Sequence, residues 1–223
     1  MSEADEESQR YDFELHLDRP GNVHAIQFGL VPEGSFVLDV GCHTGIMGNA
    51  LIGRKRCRVV GIDQDEAALR VAATRLERVA NLDIEQPDWA SNLLIEPDEK
   101  FDVILFGDVL EHTRNPGRIL REARTLLKPD GRVIVSVPNV ANLRVRLGLL
   151  KGNFNYEESG ILDRTHLRFF TRKTARELLE QAGFRIAQSR VAGYSLPHWL
   201  IRKFPGMLGV QFIQVGIPRS VEK

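Results

Sequence analysis

Cysteine is scarce in this chain of 223 residues, which has only Cys42 and Cys57. Because the two do not form a Cys-x-x-Cys pair, they supply neither a disulfide framework nor a zinc or redox motif, and we expect both to be small buried hydrophobes. An excess of charge of one sign is also lacking, since 30 basic residues balance 30 acidic residues. The neutral balance gives no reason to expect nucleic acid or an anionic membrane as a partner.

The N-terminal stretch MSEADEESQR lacks the apolar core of a signal peptide or a transmembrane helix. We therefore expect a disordered tail over residues 1–10 and a cytoplasmic location. The remaining length, 11–223, suits one α/β domain with a substantial core.

Apolar, β-branched runs alternate with helical patterns along the first two thirds of the chain. Continuous apolar strands of this kind are buried on both faces of a sheet. The alternation predicts an α/β fold with a doubly wound, mostly parallel sheet and helices on both faces. The predicted strands are 36–40, 58–63, 101–107, 132–138, 184–191 and 212–218, and the predicted helices are 65–79, 116–127 and 173–182.

Residues 139–172 form an unusually long connection without a clear strand. Connections in α/β units usually have about 2–6 residues, so a segment this long indicates a functional insertion. We predict that it is an inserted lid that contributes to binding the acceptor substrate. Arg144, Arg146 and Lys151 alternate with leucines there, which is typical of a solvated helix face and also compatible with contacts to an anionic acceptor.

The stretch DVGCHTG, residues 39–45, follows the first strand as a glycine-rich turn. A dinucleotide-binding Gly-x-Gly-x-x-Gly motif starting at Gly41 would need glycine where His43 and Ile46 stand. The pattern acidic-x-Gly-x-Gly-x-Gly fails only at His43. Asp63 ends the next strand, roughly 20 residues downstream, where an acidic side chain of this fold takes ribose hydroxyls. The spacing indicates a nucleoside ligand.

VLDVGCHTG and GID (61–63) resemble the first two motifs of class I S-adenosylmethionine-dependent methyltransferases. The resemblance implies a Rossmann-like sheet of seven strands with the last one antiparallel, and S-adenosylmethionine as the cofactor. It also implies that Asp39 serves the methionyl amino group, while Asp83 and Ile84 hold the adenine edge. His43 is tolerable if it points away or lines the methionyl carboxylate. The complete implied set is Asp39, Gly41, Cys42, His43, Gly45, Asp63, Gln64, Asp83, Ile84, Phe106 and Gly107.

FGDVLEHTRNP (106–116) resembles the fourth motif of the same superfamily, which lies beside the sulfonium. If this piece is helical, Asp108, Glu111 and His112 share a face, where they would bind a hard divalent cation such as magnesium or supply a base. Related ubiquinone-pathway and small-RNA methyltransferases carry Glu-x-x-Glu-His as a magnesium motif at this place. Asp108 is one methylene shorter than their first glutamate, so we favour a site without metal.

GILDRTHLRFFTRKTARELLEQAGF (160–184) resembles a segment of methyltransferases that tailor glycans and small molecules. The resulting hypothesis is methylation of an oxygen on a sugar or other small metabolite, by direct in-line transfer. His112 and His166 are the candidate bases and Asp163 is the candidate orienter of His166. A purely structural role for each histidine is the alternative.

Two other functions stay open at this point. The chain could bind S-adenosylmethionine without catalysis, or it could be a nicotinamide-dependent oxidoreductase on the same fold, which the residues at positions 43 and 46 disfavour. Trp199, Phe204 and Met207 suit an acceptor wall, internal packing or a homodimer contact equally well. We expect neither a nucleic-acid partner nor a membrane partner.

Overall fold

A computed structural model describes residues 15–96, 98–193 and 196–219, so the predicted tail at 1–10 lies outside the described residues. The strands are β1 (Phe36–Val40), β2 (Arg58–Asp63), β3 (Arg78–Asn81), β4 (Phe101–Gly107), β5 (Leu127–Pro138), β6 (Phe184–Ala192) and β7 (Gln211–Pro218). The helices are α1 (Val23–Leu30), α2 (Ile46–Lys55), α3 (Glu66–Ala72), α4 (Trp89–Asn92), α5 (Pro116–Thr125), α6 (Leu143–Leu150), α7 (Arg172–Gln181), α8 (His198–Lys203) and α9 (Pro205–Leu208), with a 3-10 turn at Leu110–His112. No described helix has the length and apolar character needed to span a membrane.

The strands form one seven-stranded sheet in the order β3-β2-β1-β4-β5-β7-β6. Neighbours from β3 to β5 are parallel, whereas β7 runs antiparallel between β5 and β6. This arrangement confirms the predicted fold class, including the antiparallel last strand. The order reverses between β1 and β4, and in doubly wound sheets ligands bind at the carboxyl ends of the strands beside that point.

Helices cover both faces of the sheet, as predicted. One face packs against α1, α2 and α3, through buried residues such as Leu51 and Leu69. The other face packs against α4, α5 and α7, through Trp89, Ile119 and Leu179. Both faces of the central strands are therefore buried, which explains why their sequences are almost continuously apolar.

Two predicted helices end earlier than expected. The predicted helix 65–79 stops at Ala72, and residues 78–81 form the edge strand β3 instead. The chain turns after Ala72 because Leu76 is buried and packs between the glycine turn and β2. The predicted helix 116–127 stops at Thr125, since Leu127 pairs with Phe101 as the beginning of β5.

Three glycines leave the space that Leu76 fills. A Cβ atom on Gly48 would lie 2.6 Å from Cδ2 of Leu76 and 3.0 Å from Cγ1 of Val59, and one on Gly61 would lie 2.6 Å from Cδ1 of Leu76. A Cβ on Gly45 would also lie 3.0 Å from Cγ of Leu76. The glycines thus allow α2, and the turn that precedes it, to lie close to β2.

This close packing predicts opposite effects for two glycines of one helix. Gly48→Ala should lower the free energy of unfolding by about 1–3 kcal/mol, because the added methyl overlaps buried Leu76 and Val59. Gly53→Ala is the matched control, since no atom lies within 4 Å of the position that its added Cβ would take. It should be neutral or stabilising by up to about 1 kcal/mol through helix propensity. Urea denaturation of both variants measures the difference, and equal effects would contradict the packing argument.

Candidate active site

The glycine turn adopts left-handed backbone conformations at three alternate positions. The φ angles are 70° at Gly41, 48° at His43 and 74° at Gly45. Histidine occurs in this region more often than most side chains do, although at a cost of about 1–2 kcal/mol. His43 therefore reproduces the backbone conformation that the pattern assigns to glycine, and the course of the turn is preserved.

Asp63 ties this turn to the end of β2. Its Oδ2 accepts a hydrogen bond from the backbone N–H of His43 at 2.8 Å, and its Oδ1 accepts one from the N–H of Asp65 at 3.0 Å. Each carboxylate oxygen can accept a further hydrogen bond. The carboxylate is half-buried, so it combines a fixed orientation with acceptor capacity for ligand hydroxyls.

Asp39 is buried in the centre of the sheet, where it lies between Gly61 of β2 and Leu105 of β4. It is 4% exposed, and its Oδ2 has no hydrogen-bond partner among the described residues. Burial, and secondly the charge of Asp63, raises the pKa of Asp39 to about 7. A buried carboxylate without a partner at this turn suits a cationic ligand group such as an amino group.

The predicted adenine side lies where β2 and β3 end. Oδ1 of Asp83 accepts from the backbone N–H of Glu85 at 2.8 Å, and Ile84 is half-buried against the core. The guanidinium of Arg118 donates to the carbonyl oxygens of Ile84 at 3.2 Å and Glu85 at 2.7 Å, which holds this loop on α5. Gln64 is exposed at the end of β2. The two strand ends therefore bring the predicted nucleoside residues to one edge of the sheet.

The segment after β4 is not a helix face shared by Asp108, Glu111 and His112. Asp108 has a φ of 55°, and only Leu110–His112 forms a helical turn. Oδ1 of Asp108 accepts from Oγ of Ser136 at 2.7 Å. The shared helix face on which the expected convergence depended is therefore wrong, because the backbone turns sharply at Asp108 and its carboxylate bonds to Ser136 of β5. Phe106 is buried beside it, and Val109 lies against Gly41.

Sequence reasoning missed three residues on this side of the cleft. The Nε2 of Gln27, on α1, donates to Oγ of buried Ser136 at 2.9 Å and so completes a network with Asp108. On the same helix, burial lowers the pKa of His24, and the charge of Asp108 partly offsets this shift. Of the three, only Ser136 is conspicuous in the sequence, because its hydroxyl interrupts an apolar strand. No pattern around Gln27 and His24 on α1 indicates a functional role.

Glu111, His112 and His166 form the cluster that best suits chemistry. Their ligand atoms all lie within 4.8 Å of one another, and the two imidazole centroids are 4.9 Å apart. Glu111 is 1% exposed, and neither carboxylate oxygen has a hydrogen-bond partner among the described residues. Burial raises the pKa of Glu111 well above its usual range, with Asp108 and Asp163 adding to the shift.

Hydrogen bonds orient both imidazoles in the same way. Thr165 donates its hydroxyl to Asp163 at 2.7 Å, so at 3.2 Å it accepts from Nδ1 of His112. The Nδ1 of His166 lies 3.2 Å from the carbonyl oxygen of Ile161. Both Nδ1 atoms therefore carry the proton, and the Nε2 atoms are left as bases or ligands. The pKa of His166 is lowered, first by burial and then by the charge of His112.

The Asp163 carboxylate accepts hydrogen bonds from Thr165, from its backbone N–H at 2.8 Å and from its hydroxyl. These bonds connect Asp163 to His112 through Thr165. The role of Asp163 as the orienter of His166 stays a prediction.

The long 139–172 segment contains α6 and returns to the site at its end. The carbonyl oxygen of Glu111 accepts from the N–H groups of Leu167 at 2.8 Å and Arg168 at 2.9 Å. These bonds bring His166 beside Glu111, although 55 positions separate them.

The charged side chains of α6 are solvated: Arg144 is exposed and pairs with Glu157. Trp199, Phe204 and Met207 are also exposed.

Comparison with known proteins gives the family of this chain. A family model described as a methyltransferase domain matches residues 21–189, about three quarters of the chain. The chain belongs to this family. Both Cys42 and Cys57 are free and buried in its domain, in agreement with the prediction for them.

Relatives within the methyltransferase family include two ubiquinone biosynthesis O-methyltransferases. The protein of Stutzerimonas stutzeri is 36% identical over 126 residues, which are 56% of this chain and 53% of the relative, so the match spans about half of the relative's length. The protein of Coxiella burnetii is 29% identical over 175 residues, 77% of this chain and 73% of the relative.

A solved structure of similar fold is the 1,6-didemethyltoxoflavin-N1-methyltransferase of Burkholderia thailandensis, with bound 1,6-didemethyltoxoflavin and S-adenosylhomocysteine. It has a TM-score of 0.60 at 19% identity and covers 92% of this chain and 79% of its own. The family match confirms the predicted methyltransferase family, and the solved structure shares the class I fold.

The buried carboxylate of Asp39 predicts a pH-dependent stability difference in the ligand-free methyltransferase. Because its folded pKa of about 7 exceeds the ordinary 3.8, the carboxyl destabilises the fold progressively as pH rises from about 4 to about 7, by about 1.4 kcal/mol per pKa unit. Asp39→Asn removes this titration. The variant should gain stability relative to the parent between pH 5 and pH 8, as measured by urea denaturation. Since Glu111 titrates in both proteins, it cancels, and a difference that is independent of pH would contradict the assignment.

Proposed function

We propose that this methyltransferase transfers the methyl group of S-adenosylmethionine to a hydroxyl oxygen of a small metabolite. The observation that carries the proposal is the cluster of Glu111, His112 and His166, which directly follows the β4 end where Phe106 and Gly107 would face the sulfonium. The two relatives named as O-methyltransferases support oxygen as the acceptor atom. A non-catalytic binding protein would have no use for a buried carboxylate beside two oriented imidazoles.

In this proposal the carboxyl ends of β1, β2 and β3 bind the cofactor. Asp63 accepts hydrogen bonds from the ribose hydroxyls, and Asp39 faces the methionyl amino group. Asp83 and Ile84 hold the adenine, while Gly41 and Gly45 let the ligand approach the backbone. The remaining implied residues, Cys42, His43 and Gln64, contribute backbone or flanking contacts.

The transfer itself needs alignment more than covalent help. The sulfonium is a good leaving group, so the enzyme has to hold donor, methyl and acceptor in line and exclude water. The lowered pKa of His166 keeps its imidazole neutral, with Nε2 available to take the acceptor's proton. We propose that the segment 139–172 closes the cleft as a lid, within one domain over residues 11–223.

As an alternative to a free imidazole base at His166, the cluster fits a divalent cation, in contrast to the site without metal that the sequence favoured. Glu111 supplies a buried carboxylate without a partner, and His112 and His166 each offer Nε2 with Nδ1 held by a hydrogen bond. The two imidazoles suit iron, nickel or zinc better than magnesium, and the carboxylate also suits manganese. When bound, such a cation would lower the pKa of the acceptor hydroxyl and bind its oxygen. Asp108 is not part of this ligand set, since its carboxylate bonds to Ser136.

Sugars and other hydroxylated small molecules are the acceptors we propose. A glycan acceptor would lie under the lid, where Phe154 and Tyr156 stack edge to face at 5.7 Å and are partly exposed. We also propose a cytoplasmic location, and a homodimer contact through the exposed Trp199, Phe204 and Met207.

Removing the Asp63 carboxylate should weaken cofactor binding strongly. Asp63→Ala loses acceptors for the ribose and the bond that holds His43, so the dissociation constant for S-adenosylmethionine should rise at least about tenfold. Calorimetric titration measures this change. Glu66→Ala, at the exposed start of α3, is the control and should bind like the parent. Binding of NAD in place of S-adenosylmethionine would contradict the cofactor assignment.

Substitutions in the cluster of Glu111, His112 and His166 should strongly reduce the rate of methyl transfer without changing the affinity for S-adenosylmethionine. Glu111→Gln and His166→Asn should reduce methyl transfer by about 100-fold or more, with unchanged calorimetric binding of S-adenosylmethionine. Production of S-adenosylhomocysteine, measured across a panel of catechols, sugars and amines, gives the rate. Glu158→Gln, on the exposed part of the lid, is the control.

Metal dependence is tested on the same assay. Chelation should lower the rate of the parent, and manganese should restore it, whereas neither should change the rate of Glu111→Gln. A chelated parent at full rate would rule out the cation and leave His166 as the base. Turnover of amines alone would contradict an oxygen acceptor.

A further inference from the structure

A second cavity lies outside the methyl-transfer site. This groove, of about 780 Å³, is bounded by α1, by the strands β5, β6 and β7, and by the α8–α9 segment. None of its lining residues belongs to the glycine turn or to the ends of β2 to β4, and Arg172, the last residue of the 139–172 segment, is the one lining residue that it shares with the proposed lid. Its volume falls within the range of small-molecule sites.

Four arginines from four different elements line the groove. They are Arg132 of β5, Arg172 of α7, Arg190 of β6 and Arg202 of α8. Within the described part of the chain no aspartate or glutamate lines it, and none of the four arginines forms an ion pair with a described carboxylate. Arginines elsewhere in the described chain do form such pairs, among them Arg58, Arg78, Arg118, Arg144, Arg164 and Arg176. The groove therefore concentrates uncompensated positive charge, although the chain as a whole is neutral.

The rest of the lining is mainly apolar. Ile26 and Leu30 of α1 line the groove together with Phe212 of β7 and Pro205 of α9. Gln188 on the edge strand β6 adds an amide that donates and accepts hydrogen bonds. A ligand that matches this lining has an anionic group of more than one charge and a short apolar part.

We propose that this groove binds an amphipathic polyanion, namely a diphosphate or similarly charged group that carries a short apolar chain. Guanidinium groups recognise phosphate oxygens through paired hydrogen bonds, which distinguishes arginine from lysine in such sites. The apolar chain lies against Ile26, Leu30 and Phe212. Binding there is separate from cofactor binding.

The helix that lines the groove also reaches the acceptor side of the cleft. Gln27 lies between the groove-lining residues Ile26 and Gly29, and its side chain points to Ser136, which holds Asp108. An occupant of the groove thus contacts the same helix that supports the β4 end.

The test is calorimetric titration of the full chain with hexyl diphosphate, with pyrophosphate and hexanol as the two half-ligands. Hexyl diphosphate should bind more tightly than either. The double variant Arg132→Gln with Arg190→Gln should weaken its binding at least about tenfold, since it removes two charge-assisted contacts. Arg54→Gln, an exposed arginine on α2 outside the groove, is the matched control and should leave binding unchanged.

Saturating S-adenosylhomocysteine should not compete with hexyl diphosphate, and both variants should keep the parent's affinity for S-adenosylmethionine, which also shows that they are folded. Absence of binding, equal weakening by the Arg54 variant, or displacement by S-adenosylhomocysteine would overturn the proposal. Pyrophosphate that binds as tightly as hexyl diphosphate would overturn the apolar half of it. Because no outcome depends on turnover, the result is independent of the proposed methyl acceptor.

Discussion

The carboxylate of Asp63 is the contact on which the cofactor side of this methyltransferase depends. It ends β2 and accepts hydrogen bonds from the backbone of His43 and of Asp65. One side chain thereby fixes the turn after β1 relative to the helix after β2. Both lie at the carboxyl ends of the strands, next to the point where the strand order reverses. Leu76 also packs closely against Gly45, Gly48 and Gly61, which fixes the position of the glycine turn and α2 against β2.

The acceptor side is held together in a different way, by groups that are costly to bury. Glu111 has no hydrogen-bond partner for its carboxylate among the described residues, and its carbonyl oxygen anchors the end of the lid through Leu167 and Arg168. A buried carboxyl without a partner lowers stability unless it is protonated or binds a cation. Such a residue is typical of a functional site, since packing alone would favour an apolar side chain there.

Sequence reasoning predicted the strands well because their signal is local. Continuous apolar runs located β1, β2 and β4 at their observed bounds, and the glycine turn was found from its own spacing. It failed where a distant contact decided the outcome. The helix after β2 ends at Ala72 because Leu76 packs into a space made by glycines up to 31 positions away, and Asp108 turns out of helical geometry to bond with Ser136.

The sequence by itself determined the doubly wound sheet, the family and the cofactor, since these follow from periodicity and from motifs within short stretches. It also identified the side chains of the acceptor site, but not their grouping. Only the tertiary structure decided that Glu111 and His112 lie beside His166. Backbone hydrogen bonds hold the end of the lid on the 3-10 turn, and the periodicity of the sequence does not predict such bonds. The same holds for the arginine-lined groove, because its four arginines come from separate elements that only the tertiary structure places around one cavity.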